Sequence, residues 1–159
     1  MNITIRSLGF LISLMVLFNG SAWAAPEAQL KLWKKSEHYY GSCGHCSEFI
    51  TFSPAFDTPD FTEFSHYFLD GYYTADLTGP EGATVTLYGD RNFAKDRGLL
   101  VIVKKDDRLV SIQDLESFTA NTWSERPATE KSGAFRAYYQ PFPQFARNVA
   151  SLAWEQSAN

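Results

Sequence analysis

The sequence predicts an α+β domain, a mainly antiparallel sheet with one helix at about 59–70 and a C-terminal helix at about 143–156. Short runs rich in β-branched and aromatic residues recur between Glu48 and Ile112, joined by turn residues instead of helical segments, which disfavours a parallel doubly wound sheet. Thr58-Pro59-Asp60 supplies a cap, a first-position proline and an early acid ahead of Phe61, Phe64 and Phe68 at helical spacing. Pro143 opens a final segment in which Phe145, Val149, Leu152 and Ala153 share one helical face, with Trp154 on the opposite one.

In chain order, Arg6, the apolar run Leu8 to Phe18 and the small-residue stretch Ser21-Ala22-Trp23-Ala24-Ala25 have the form of a secretory signal peptide cleaved after Ala24. The run is shorter than the roughly 18 residues of a transmembrane helix, and no cysteine follows the cleavage point to carry a lipid. Residues 1–24 are therefore read as signal peptide and 25–159 as a single globular domain, placed in the periplasm or secreted. Glu27 to Lys35 is ambiguous. Gly41 and Gly44 make the segment around Cys43-Gly44-His45-Cys46 a loop.

Glu48 to Phe52 reads as a strand ending at Pro54, and Gly71 stops the first helix. Tyr72 to Leu77 and Ala83 to Tyr88 flank a Gly- and Pro-containing link suited to a hairpin. Gly98 to Lys104, Leu109 to Ile112 and Phe135 to Tyr139 are further strands. The polar stretch from Leu115 to Glu130 reads as a long surface loop. Phe49, Phe52, Phe56, Phe61, Phe64, Phe68, Tyr72 and Tyr73 crowd one region and are expected to build a core. No internal repeat is visible.

The net charge is −4, and loss of Arg6 with the signal peptide makes the remainder one unit more acidic. That sign argues against nucleic acid as a partner.

Val85-Thr86-Leu87-Tyr88-Gly89-Asp90-Arg91-Asn92-Phe93 resembles the opening of a βγ-crystallin Greek-key motif, in which an aromatic strand turns through an acidic segment to a second aromatic. Gly98 to Lys104 is similar to the strand that follows. Asp106-Asp107-Arg108-Leu109-Val110-Ser111 then looks like that family's calcium motif, with Val110 where one hydroxyl ligand is expected. The resemblance covers about 83–114. It implies a Greek-key unit, calcium held by Asp106 and Asp107, and membership of a family that includes secreted peptidase inhibitors and non-catalytic binding modules.

Cys43-Gly44-His45-Cys46 matches the active-site string of protein disulfide isomerases. A reactive first thiol there needs a helix N-terminus to lower its pKa, and Ser-Glu-Phe-Ile-Thr-Phe prefers a strand. A structural disulfide between Cys43 and Cys46 is the favoured reading in an oxidising compartment. The alternatives are a periplasmic thiol-disulfide oxidoreductase, with Cys43 as nucleophile and Cys46 as resolving thiol, and a zinc site from His38, Cys43, His45 and Cys46. Glu63 and His66, with Asp70 a turn beyond, have the spacing of di-iron helices, but the second such motif that those sites require is missing. There is no Gly-x-Ser-x-Gly elbow, phosphate-binding glycine loop, His-Glu-x-x-His helix or dinucleotide fingerprint. No catalytic residue and no cofactor is assigned.

Export, acidic charge and abundant aromatics together predict a non-enzymatic binding protein of the bacterial envelope, an inhibitor or immunity protein that neutralises a secreted hydrolase or toxin. Inhibitors of this kind bury a partner's cleft under a few aromatic or charged anchors. Ser117 to Gly133 and Tyr138 to Phe142 are the segments expected to make contact. A calcium-binding βγ-crystallin-like module is a further alternative.

Overall fold

The computed structural model describes residues 27–35, 47–67 and 71–155. Their architecture is almost wholly β, which overturns the α+β expectation. One sheet has the order β2-β1-β3-β6, from Ser47–Phe52 (β2), Gln29–Lys35 (β1), Tyr72–Thr78 (β3) and Val110–Ile112 (β6). The other has the order β7-β8-β5-β4-β9, from Trp123–Arg126 (β7), Phe135–Gln140 (β8), Leu99–Lys104 (β5), Thr84–Tyr88 (β4) and Ser151–Glu155 (β9). Every strand pairing is antiparallel.

Neither expected helix forms at its predicted length. Thr62–Tyr67 is a 3₁₀ segment, entered through Asp60, whose carboxylate accepts the Thr62 backbone N–H at 2.8 Å. Three-residue periodicity stacks Phe61 and Phe64 on one side, against Phe52, with centroids 5.2 and 5.8 Å away. At the C-terminus only Phe145–Asn148 is helical (α1), and β9 follows. In β9 Leu152 and Trp154 are buried while Ala153 and Glu155 are not, a period of two. Trp154, misplaced on a helical wheel, falls into line on a strand.

Two further expectations fail. The Thr78–Gly82 link does not close a hairpin, because β3 and β4 belong to different sheets. At Gly79, with φ +111°, a Cβ would lie 2.5 Å from Ala28 Cα, so the crossing needs glycine twice over. The polar stretch read as a loop contains β7, an edge strand paired with β8.

The wiring repeats. β1 and β2 pair; Thr58 then crosses to the other sheet, exchanging two 2.9 Å backbone hydrogen bonds with Leu152 of β9; β3 returns beside β1. Likewise β4 and β5 pair, β6 crosses to lie beside β3, and β9 returns beside β4. Each half thus lends its third segment to the other half's sheet. The second half differs by an inserted hairpin, β7–β8, between its crossing strand and its returning strand.

The inward faces of the two sheets share one core. Leu30, Leu32, Ala75, Leu77 and Val110 meet Val85, Leu87, Leu100, Ile102 and Leu152, with Phe145 of α1 also fully buried. Each of the larger side chains among them contributes about 1.5–3 kcal/mol of burial free energy.

Candidate functional site

Alternation along the second sheet fixes which residues face outward. Because Val85, Leu87, Leu152 and Trp154 point into the core, their neighbours Thr86 and Ala153 point away. Register then lays a row across all five strands: Trp123 opposite Tyr138, Tyr138 opposite Val101, Val101 opposite Thr86, and Thr86 opposite Ala153. The adjacent row runs Glu125, Arg136, Val103, Thr84 and Glu155, so a largely apolar row, interrupted by the buried Thr86, lies beside a row with an acid at each end.

The largely apolar row is anchored by the Trp123 and Tyr138 rings, whose centroids are 5.7 Å apart. The Arg136 guanidinium lies 4.5 Å from the Trp123 ring centroid. Trp123 nonetheless remains 44% exposed. Arg136 Nε is buried and has no hydrogen-bond partner among the described residues. The two segments expected to make partner contacts, one holding Trp123 and the other Tyr138, are therefore joined in one surface by the β7–β8 pairing. Arg136, which falls between them in sequence, was not anticipated; its signal is alternation along β8, which places Arg136 and Tyr138 on one side.

A second aromatic patch lies on the outward face of the first sheet. Trp33 and Phe49 are opposed across β1 and β2, with centroids 4.8 Å apart, and Phe49 is 51% exposed, not in the core. Phe56, also expected in the core, is the most exposed large hydrophobic among the described residues. The polar atoms of the Trp33 patch are already used: Trp33 Nε1 donates to Asp76 at 2.9 Å, and the Lys31 ammonium sits over both rings. These contacts tie three neighbouring strands together.

Asp106 and Asp107 occupy the turn between β5 and β6. Asp106 accepts the Ala134 backbone N–H through Oδ2 at 2.8 Å and that of Arg108 through Oδ1 at 3.1 Å. The Ala134 bond is the largest influence holding its carboxyl below the ordinary value of 3.8. A Cβ on Gly133 would collide with that carboxylate, so glycine lets the β7–β8 connection close onto Asp106. Asp107 is exposed. Beneath the turn, Lys104 is fully buried and its ammonium donates to the carbonyls of Leu77 and Arg108; burial lowers its pKa. Asp106 and Lys104 together fasten the turn to the sandwich.

Glu63 is exposed on the 3₁₀ segment. His38, Cys43, His45, Cys46, Asp70 and the side chain of His66 lie outside the described residues, as does the signal segment. Among the described residues, no group of three or more His, Cys, Asp or Glu side chains is positioned to hold a metal ion, and no helix is long and apolar enough to cross a membrane. Comparison of the chain with protein-family models, with curated proteins and with solved structures finds no match.

Proposed function

We propose that this chain is an exported, non-enzymatic binding protein of the bacterial envelope that neutralises a secreted hydrolase through the outward face of its five-stranded sheet. The exposed Trp123, packed against the half-buried Tyr138 ring and under the Arg136 guanidinium, carries the reading. Tryptophan, tyrosine and arginine are the side chains enriched among interface hot spots, and the two aromatic ones bury large area at small entropic cost. Glu125 and Glu155, at the ends of the neighbouring row, favour basic groups around the partner's cleft.

The strand wiring supports the βγ-crystallin resemblance. Tyr88 and Phe93 make an edge contact at 5.8 Å across the turn that the motif describes. Buried Ser151 fixes that turn, donating to the Asp90 carbonyl at 2.6 Å and accepting the Phe93 N–H at 3.2 Å. Secreted peptidase inhibitors and non-catalytic binding modules occur in that family, which agrees with the proposed role.

The test is titration of envelope-targeted peptidases and cell-wall hydrolases with the protein. A stoichiometric loss of one hydrolase's activity, abolished when Trp123 and Tyr138 are both replaced by alanine, is expected. Absence of inhibition across the panel, or full inhibition by the double variant, contradicts the proposal.

A further inference from the structure

The β7–β8 insertion closes a second feature, on the side of the hairpin away from Trp123. Since Trp123 and Glu125 face outward, Arg126 points to the opposite side of β7, where it helps line a cleft of about 590 Å³ between the insertion and the edge strand β6. A cleft of this size suits a small molecule.

Its lining is chemically one-sided. Arg126 and Lys131 bring two positive charges, and among the described residues no carboxylate lines the cleft and neither cation is in an ion pair. This stands out in a chain of net charge −4. Arg126 is held in place by one 3.0 Å bond from Nη2 to the Ser117 carbonyl and by the Phe118 ring 5.3 Å below; its remaining N–H groups meet no acceptor among the described residues. Thr129 Oγ1 accepts the backbone N–H groups of Lys131 and Ser132, and Ser111 Oγ accepts from Gln113, so both oxygens are occupied as acceptors while their protons are given to no described group. Donors thus prevail on the polar wall, while Phe135 and Pro127 supply an apolar one.

We infer that this cleft is a binding site for a small ligand bearing an oxyanion, a carboxylate or a phosphate group. Arg126 and Lys131 engage the anionic oxygens, the Thr129 and Ser111 hydroxyls donate to them, and the ligand body lies against Phe135 and Pro127. A planar guanidinium with unspent N–H groups pairs with two oxygens at once, and such charge-assisted bonds are about twice as strong as neutral ones. The site goes beyond the hydrolase-binding role and uses none of the Trp123–Tyr138 face, so either reading can fail without the other.

The experiment is a titration of the isotope-labelled protein at constant ionic strength with glucuronate, inorganic phosphate and, as the uncharged counterpart, glucose. Expected are saturable amide shifts centred on Ser111, Lys131 and Ser132 with at least one of the two anions, none with glucose, and about tenfold weaker binding for Lys131→Gln, whose exposed side chain leaves the fold intact. Tighter binding of glucuronate assigns the site to carboxylates, and tighter binding of phosphate to phosphate groups. Arg126→Gln should weaken the preferred anion at least as much, and its amide spectrum reports whether it is folded. No localised shifts with either anion, equal shifts with glucose, or undiminished affinity in Lys131→Gln would overturn the assignment.

Discussion

At the scale of single residues, groups whose titration differs between the folded and unfolded chain govern how stability responds to pH. Burial pushes the Tyr73 phenol up to about 12, from an ordinary 10.0. The unfolded chain therefore ionises Tyr73 first, and the folded state loses stability as pH rises from about 10 towards 12, by roughly 2–3 kcal/mol for a shift of this size. Urea denaturation at pH 9 and pH 12 should show this loss, and Tyr73→Phe should shrink it. Asp106 acts at the other end of the scale. Its contribution is fully present above the ordinary value of 3.8 and disappears as pH falls through the lowered folded value. Asp106→Ala, which removes the acceptor of the part-buried Ala134 N–H and of the exposed Arg108 N–H, should lower the thermal midpoint at pH 7 and flatten the acid limb of a melting-temperature profile. Trp123 differs from both in being half-exposed, so Trp123→Ala should leave the melting temperature within the small range of surface substitutions.

At the scale of elements, the C-terminal segment decides between the two periodicities that its sequence offers. As a strand, β9 buries Leu152 completely and turns Ala153 outward. Leu152→Ala should cost about 2–5 kcal/mol, whereas Ala153→Thr, at an outward strand position, should be nearly neutral. Denaturant midpoints of the two variants check this, since on a helix carrying both residues on its inner face both changes would hurt. The strands Tyr72–Thr78, Leu99–Lys104 and Phe135–Gln140 were legible because their β-branched and aromatic runs lie between turn residues. The helices were misjudged for a physical reason. Phe145, Val149 and Leu152 satisfy helical spacing, yet Leu152 and Trp154 satisfy strand alternation, and pairing with β4 on one side and Thr58 on the other selects the strand. Local pattern cannot see which segments the fold will lay alongside. The same limit hid β7, whose Trp123-Ser124-Glu125-Arg126 is too polar to signal a strand and forms one because β8 lies alongside. Of the candidate site, the two contact segments were visible in sequence, and their register was not.

At the scale of the whole molecule, the fold is a twice-used wiring with one addition. Exchange of the third segment between halves, Thr58 one way and β6 the other, stitches the sheets through backbone hydrogen bonds as well as through the common core. Neither half completes its sheet alone, so the protein should unfold in a single transition, with amides of β3 and β9 exchanging at similar rates. Hydrogen exchange read by mass spectrometry checks this, and early opening of one sheet would speak against it. The added β7–β8 hairpin extends a sheet whose β5-β4-β9 part is already paired. It brings Trp123 and Tyr138 to the outward face and Arg126 and Lys131 to the cleft behind it. The outward face is proposed to bind the neutralised hydrolase, and the dissociation constant of that complex, measured for Trp123→Ala beside the unaltered protein, decides whether it does. Binding weakened about 30-fold or more is expected, the loss of an interface hot spot of roughly 2 kcal/mol, with the melting temperature unchanged. Equal affinity of the two proteins would contradict it.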